Sequence, residues 1–295
     1  MIGQFLLAFR EAFEAALVVA VIFAYLKRTR RDYLSRYVSY GIYLAVVTSL
    51  VCGTFVWLAY GSLSGPAKSL FEGLAALLAV LVLTSMIYWM ATKGRELRAE
   101  IERRVETAVT RGATLALVSL SFLVVFREGV ESVLFLIPFL LEDSAGTLLG
   151  ASLGVLASTL LAYVVFVAGM RISIRGFFYY TSVLLVLLAG GLAGYGIHEL
   201  LEYFEEVGVK TGWFGELAFD LNVPSDSPMH HKGLVGSVFA VIFGYTVAAE
   251  WARVIVHLTY LAIALPLLLY VYRYRDKEAK MRRFEAKEHE PTAQM

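Results

Sequence analysis

The sequence contains few charged residues. Asp, Glu, Lys and Arg make up 17% of its 295 residues, whereas a soluble domain carries roughly 25%. A soluble enzyme with a polar surface is therefore not expected. The single cysteine, Cys52, excludes an intrachain disulfide, and no Cys/His group has zinc-site spacing. The net charge of +1 provides no strongly basic surface, so we expect no nucleic-acid partner.

The chain has long apolar runs instead. Apolar residues make up 59% of it, and the mean hydropathy is +0.68. A helix that spans a bilayer needs about 20 mostly apolar residues. The sequence therefore predicts an all-α, multi-pass protein of the cell membrane with seven transmembrane helices in contact with the lipid bilayer. The predicted spans are 4–26, 37–60, 69–91, 113–141, 148–170, 177–200 and 252–272.

The basic residues predict the orientation of these spans. Most of the 26 Lys and Arg residues lie in the loops after the first, third and fifth spans and in the C-terminal tail. The alternate loops contain only Lys68, Lys210 and Lys232. Because short loops rich in Lys and Arg remain in the cytoplasm, we expect the N-terminus outside and the C-terminus inside.

A charged motif occurs twice, within the first and fourth predicted spans. Residues 9–14 read Phe-Arg-Glu-Ala-Phe-Glu, and residues 126–131 read Phe-Arg-Glu-Gly-Val-Glu. Repetition after three spans reverses the direction of the second copy, and inverted repeats are typical of secondary transporters with a substrate site near the bilayer midplane. The predicted parts of the chain are a first three-helix repeat (1–91), a second, inverted three-helix repeat (113–202), an outer loop with a surface helix (203–250), a seventh helix (251–273) and a cytoplasmic tail (274–295).

The spacing within each motif places its charged side chains on one helix face. At about 100° per residue, Arg10, Glu11 and Glu14 fall within one arc of about 100° on the helix. The second motif repeats this arrangement with Arg127, Glu128 and Glu131. Both motifs lie near the middle of their spans, so we expect the four glutamates to meet at one depth.

The charge balance of the motifs indicates a cation site. A central charge costs about 2.5–3.5 kcal/mol in a membrane helix, so these residues must face the protein interior. Four glutamates and two arginines leave an excess of negative charge, which attracts a multivalent cation. Oxygen ligands favour hard cations. The structural alternative is a salt-bridged helix pair, but such a pair would tend to balance its charges, whereas each motif carries one extra carboxylate.

On these residues the sequence resembles the oxidase-dependent iron permease family, which comprises the fungal high-affinity iron permease and its bacterial relatives. The resemblance rests on the paired Arg-Glu-x-x-Glu motifs and on the segment 236–245 before the last span, which ends in Phe-Gly-Tyr. It covers roughly residues 1–273.

The resemblance implies iron uptake into the cytoplasm by a permease without a permanent cofactor, with iron ions as substrate. It implies that the metal ligands are Glu11, Glu14, Glu128 and Glu131, with Arg10 and Arg127 compensating charge. An external ferroxidase or a periplasmic iron-delivery protein is the implied partner. The residues alone indicate only a hard multivalent cation, so manganese remains an alternative substrate. Lead is a further alternative that the resemblance implies, because some relatives in the family are linked to lead.

A second group of candidate residues lies at the outer ends of the third and sixth predicted spans. Glu72, His198, Glu199 and Glu202 form this group, and we interpret it as a possible outer funnel for the cation. The alternative is a helix end that is simply exposed to water. In the outer loop, Met229, His230 and His231 are a weaker candidate for metal capture, with solvated side chains as the alternative.

The apolar run at 233–249 leaves two interpretations. An eighth span there would place the basic tail outside, so a surface or re-entrant helix is preferred.

A membrane enzyme with carboxylate-bound iron would be a function of another class. Di-iron bundles add Glu-x-x-His pairs, but Glu11 leads to Glu14 and Glu128 leads to Glu131. We therefore expect no enzymatic activity. A metal-binding receptor is a third alternative, although a sensor does not need the two-sided access that an inverted repeat provides.

Overall fold

The computed structural model describes residues 1–94, 97–110, 114–166, 174–224, 226–230, 233 and 235–288. These residues are predominantly helical. The long helices are α1 (Ile2–Arg28), α2 (Ser35–Gly61), α3 (Pro66–Lys93), α5 (Thr114–Glu142), α6 (Ser144–Phe166), α7 (Ile174–Glu206) and α9 (Trp251–Glu288). The short elements are α4 (Leu97–Thr110), α8 (Gly236–Phe243), β1 (Leu217–Asp220) and β2 (Ala248–Glu250).

Each of the seven predicted spans falls on a long helix. Among the described residues, five helices are long and apolar enough to cross a membrane, namely α2, α3, α6, α7 and α9. The chain is thus an all-α membrane protein. Helices α1 and α5, with 27 and 29 residues, have the necessary length, but each carries a charged motif that lowers its apolar character. Residues 167–170 of the fifth predicted span lie outside the described residues.

The long helices pack in a pattern that is preserved when α1–α2–α3 and α5–α6–α7 are exchanged. Helix α2 packs on α5, and α6 packs on α1. Helix α3 also contacts α7, and α1 contacts α5. The exchange maps each of these two pairs onto itself. Each of these contacts joins one group of three helices to the other, so all six helices take part in the interface between the groups.

Two glycines allow α2 to approach α5 closely and α6 to approach α1 closely. A Cβ at Gly41 of α2 would collide with the carbonyl oxygen of Val118 and the hydroxyl of Ser121. A Cβ at Gly150 of α6 would lie 2.6 Å from the carbonyl oxygen of Met1 and 3.2 Å from Gln4. Val118 and Met1 each stand nine residues before a motif arginine, and Ser121 and Gln4 each stand six before it. The same backbone contact therefore occurs twice, at matching distances from the two motifs.

The central and peripheral helices differ in burial as this pairing requires. Helices α3 and α7 are about half buried, whereas few residues of α2, α6 and α9 are buried. Large apolar side chains cover the exposed faces, such as Phe55 on α2 and Leu156 on α6. Apolar surface of this extent suits contact with lipid. The charged motifs, in contrast, lie on the central helices α1 and α5.

Helix α4 was not predicted, because its 14 residues are mostly polar and lie in a loop between predicted spans. Its apolar side bears Ile101 and Val105, which are buried in the same core as Leu26 of α1. An ion pair of 3.0 Å between Glu102 and Arg28 also joins α4 to α1. The loop is therefore folded against the end of the bundle.

The outer loop differs from the predicted surface helix. Helix α8 covers only Gly236–Phe243, and the chain then turns at Gly244, whose φ of 65° is readily adopted by glycine. The last residues of the apolar run form β2, which pairs antiparallel with β1. Helix α8 packs on α7, and α9 extends through the start of the predicted tail to Glu288. Residues 289–295 lie outside the described part of the chain.

Candidate metal site

The first motif forms a closed ionic group on α1. Arg10 is only 1% exposed, and its guanidinium lies 3.0 Å from Glu11 and 2.8 Å from Glu14. One guanidinium nitrogen also lies 2.8 Å from the sulfur of Met86 on α3. Burial of a charge is tolerated only where it is paired. Arg10 therefore holds both glutamates of the first motif in place.

The second motif on α5 is more open. The guanidinium of Arg127 lies 2.7 Å from Glu131 and 3.9 Å from Glu128. Its side chain is 45% exposed, and its guanidinium carbon lies 5.2 Å from the centre of the Trp89 ring on α3. This is a cation–π distance. Helix α3 thus supports both motif arginines, with Met86 under one and Trp89 under the other.

The carboxylates of the two motifs converge. Glu11, Glu128 and Glu131 each place an oxygen so that all three oxygens lie within 4.8 Å of one another. Each of these residues also has a buried oxygen that lacks a hydrogen-bond partner among the described residues. Buried polar atoms normally have hydrogen-bond partners. The unpaired oxygens here are therefore suited to act as ligands of a cation. Three of the four predicted ligands therefore meet, and Glu14 lies beside them in its ion pair with Arg10.

A cavity of about 150 Å³ reaches this group from the side of α4. Glu14, Arg127 and Glu128 line one part of it, and Glu100 and Arg104 of α4 line another. The two α4 residues form an ion pair of 2.8 Å. The hydrogen bond from Arg104 lowers the pKa of the exposed Glu100 below its ordinary value. Arg127 thus lines the same cavity as α4.

A glycine sets the distance between α5 and α2 beside the carboxylates. Gly129 stands between Glu128 and Glu131, and a Cβ at this position would collide with the hydroxyl oxygen of Ser49 on α2. Ser49 is buried, and its oxygen has no hydrogen-bond partner among the described residues. The first motif has Ala12 at the corresponding position. The contact at Gly129 is therefore a difference between the two copies of the motif.

The predicted outer group is divided into two parts. His198, Glu199 and Glu202 on α7 place ligand atoms within 4.8 Å of one another. Glu72 instead accepts hydrogen bonds from Tyr60 at 2.5 Å and Tyr195 at 2.8 Å.

In the outer loop, the side chain of Met229 is exposed. His231 lies outside the described residues, so the suggested capture site in the loop stays a prediction.

Several residues at the two sites were not indicated by the sequence. Trp89 lies near the end of a predicted span, where an aromatic residue is typical of the membrane interface, but its ring lies against Arg127. Met86 and Tyr60 carry no recognisable signal in an apolar helix. Glu250 belongs to β2 and lies 2.9 Å from Nδ1 of His198. Contacts between distant segments place all four residues.

The electrostatic state of Glu250 follows from this contact. Its burial would raise its pKa, but the hydrogen bond with His198 and the charges of His198 and Arg253 outweigh this effect. The pKa of Glu250 therefore lies below its ordinary value, and the carboxylate is charged at neutral pH.

Comparison with known proteins assigns the family. The model of the iron permease FTR1 family matches residues 1–273. The chain belongs to this family. The paired motifs and nearly the whole helical bundle lie within the matched region, which agrees with the resemblance stated from the sequence.

Individual relatives cover nearly the whole chain as well. An uncharacterized protein of Archaeoglobus fulgidus is 46% identical over 91% of this chain and 94% of its own length. The ferrous iron permease EfeU of Escherichia coli O6:K15:H31 is 35% identical over 90% of this chain and 94% of its own. EfeU of Yersinia pestis is also 35% identical, over 90% and 93%. No solved structure matches the chain.

Proposed function

We propose that this iron permease binds iron between its two charged motifs and carries it across the cell membrane into the cytoplasm by alternating access. The convergence of Glu11, Glu128 and Glu131 carries the proposal, because it joins carboxylates from both motifs within 4.8 Å. Glu14 completes the ligand set when Arg10 moves away from it. Without bound iron, the two arginines balance part of the negative charge of the glutamates and so stabilise the site.

The proposal includes seven transmembrane helices with the N-terminus outside. Helices α1 and α5 are the two spans that carry the site, and their polar residues turn away from lipid. Helix α2 runs parallel to α5, since Gly41 faces Val118 and Gly53 faces Val133. If α2 returns across the bilayer after α1, then α1 and α5 run in opposite directions. The exchange-related helix pairs support an inverted repeat of this kind.

The proposed transport cycle has two steps, binding of the cation from outside and opening of the site toward the cytoplasm. A cation arrives from outside and displaces the arginine contacts of the glutamates, which then act as ligands. The two three-helix repeats rock against each other, and the site opens inward. In the proposed orientation α4 is cytoplasmic, so the cavity from Glu100 and Arg104 to Glu128 is the inward route.

The chemistry of the site leaves the oxidation state of iron to experiment. All-carboxylate ligands accept both ferrous and ferric iron, because oxygen donors suit hard cations. The names of the E. coli and Yersinia relatives, ferrous iron permeases, favour the ferrous form. An external ferroxidase remains the partner that the sequence resemblance implies, and the same site would also admit manganese or lead.

Radioiron uptake into proteoliposomes tests the proposal. Wild type, Glu14→Gln and Glu131→Gln are compared with ferrous and ferric iron supplied separately, and with manganese and lead as competitors. Glu106→Gln is the matched control, because Glu106 is an exposed glutamate of α4. We expect uptake by wild type and control and at least a tenfold loss in both motif variants. Uptake that persists unchanged in folded Glu14→Gln and Glu131→Gln would contradict the proposed site.

A further inference from the structure

The last three turns of α7 carry three potential metal ligands on one surface. His198 and Glu202 are four residues apart, and Glu199 and Glu202 are three apart, so all three lie on neighbouring positions of the helix. Their ligand atoms lie within 4.8 Å of one another. Glu199 is 8% exposed, whereas His198 is about one-third exposed. The group is therefore anchored in the protein on one side and reachable from solution on the other.

A carboxylate from a different segment fixes the histidine. Glu250 of β2 lies 2.9 Å from Nδ1 of His198, which leaves Nε2 as the nitrogen available to a metal. A carboxylate on the far nitrogen of a ligating histidine is a common arrangement in metal sites, where it sets the tautomer and orients the ring. The other oxygen of Glu250 is buried and has no hydrogen-bond partner among the described residues. The sheet pairing of β2 with β1 holds Glu250 in place.

The adjacent Glu72 is occupied by other partners. Both of its oxygens accept hydrogen bonds from tyrosines, Tyr60 of α2 and Tyr195 of α7. Tyr195 stands one turn before Glu199 on the same helix. The two phenols therefore satisfy Glu72 in the absence of a cation, whereas no tyrosine or other donor shields Nε2 of His198 in the same manner among the described contacts. Tyr195 is also a hydrogen-bond partner of Glu199. Glu72 therefore borders the group on α7 and differs from it in that phenols satisfy both of its oxygens.

We propose that His198, Glu199 and Glu202 form an outer binding site for a first-row divalent transition-metal cation, with Glu250 as its positioning residue. The site differs from the motif site in its ligands. Imidazole nitrogen suits iron, nickel and zinc better than magnesium or calcium, which prefer oxygen ligands alone. The outer site thereby selects the cation before it reaches the all-carboxylate site. This selective role rests on the proposed transport function, but binding itself does not.

The outer loop contributes the positioning residue of this site. Residues between α7 and α9 supply Glu250, and β1 and β2 connect this glutamate to the rest of the loop. A cation on His198 would strengthen the contact between the imidazole and the Glu250 carboxylate. Occupancy of the outer site therefore stabilises the β1–β2 pair against α7.

Cobalt(II) binding to the purified full-length protein in detergent tests this site without transport. Isothermal titration gives stoichiometry and affinity, and the visible absorption of bound cobalt reports a nitrogen ligand. We expect two classes of site in wild type. His198→Gln and Glu202→Gln should each weaken the nitrogen-containing class at least tenfold, and Glu11→Gln should weaken only the other class. Glu205→Gln, a nearby exposed glutamate of α7, should bind as wild type.

The positioning role of Glu250 has its own readout. Glu250→Gln should lower cobalt affinity of the outer class about tenfold, as loss of an outer-shell carboxylate typically does, while Glu250→Asp restores part of it. The affinity of the motif site should stay unchanged in both variants.

Two results would overturn the outer site. One is wild-type cobalt binding by His198→Gln and Glu202→Gln, and the other is loss of every bound cobalt in Glu11→Gln. Failure of the transport proposal looks different: wild type would move no iron, yet the His198-dependent cobalt class would remain.

Discussion

Arg10 and Arg127 occupy the same position in two copies of one motif, yet their surroundings differ. Arg10 is 1% exposed and contacts both glutamates of its own motif at 2.8–3.0 Å. Arg127 is 45% exposed, has one close carboxylate partner, and lies beside Trp89. The packing of α2 on α5 resembles the packing of α6 on α1 much more closely than the surroundings of the two arginines resemble each other.

Symmetric packing of the helices therefore does not require that the two motifs have the same surroundings. Backbone contacts such as Gly41 with Val118 and Gly150 with Met1 repeat between the halves. The asymmetry arises from α4, which borders a cavity beside the second motif. A carrier built from inverted repeats must be asymmetric in any one state, because only one side of its site is open at a time. In the proposed transport cycle, the open side would be that of Arg127, which lines the cavity.

The largest expected effect is the loss of the buried arginine. Arg10→Met leaves Glu11 and Glu14 buried without a cation, and removal of one partner from a buried ion pair costs about 3–5 kcal/mol. Arg127→Met should cost much less, because that side chain is nearly half exposed and water can reach its partner. Thermal unfolding of both variants in detergent measures the contrast. Equal destabilisation by the two substitutions would remove the basis of the comparison.

The close approach at Gly129 gives the next effect. Gly129→Ala places a methyl group against Ser49 and should destabilise the protein by about 1–3 kcal/mol, the usual cost of overpacking. Ser49→Gly in the same chain should restore most of this loss. The matched substitution in the first motif, Ala12→Gly, should cost only about 1 kcal/mol from helix propensity. Failure of Ser49→Gly to rescue Gly129→Ala would show that the helix contact is not the cause.

The ring beside Arg127 contributes less. Trp89→Leu should lower stability by about 0.5–2 kcal/mol through loss of the cation–π contact, and it should reduce iron uptake by increasing the freedom of Arg127. Trp57→Leu, at an exposed position of α2, is the control for loss of an indole. If Trp57→Leu and Trp89→Leu have the same effect on uptake, the contact with Arg127 has no role in transport.

The smallest effect concerns the ion pair on α4. The hydrogen bond from Arg104 lowers the pKa of Glu100, so its contribution is present at neutral pH and is lost as the pH falls through the lowered value, below the ordinary 4.5. Hydrogen exchange of α4 should therefore increase slightly at acidic pH. Glu100→Gln should reduce this pH dependence, and Glu106→Gln should leave it intact. An identical acid response in Glu100→Gln would exclude the ion pair as its source.

Much of the architecture was predictable because it depends on local patterns. The apolar runs predict all seven long helices, and the repeated Arg-Glu-x-x-Glu motif predicts where polar groups are buried. Glu11, Glu128 and Glu131 do converge. Helix α4 and the β1–β2 pair were not predicted, because neither shows a long hydrophobic run. The surface helix over 233–249 was predicted too long, since composition alone does not reveal the turn at Gly244.

Hydropathy and spacing along one helix are properties of short segments, so the amino-acid sequence alone is enough to establish the membrane class and the duplicated motif. Only the tertiary structure decided which arginine is enclosed, which carboxylates meet and which side the cavity reaches. These features depend on contacts between residues far apart in the chain. Met86, Trp89, Ser49 and Glu250 acquire their roles from helices and strands that approach the site from elsewhere in the fold.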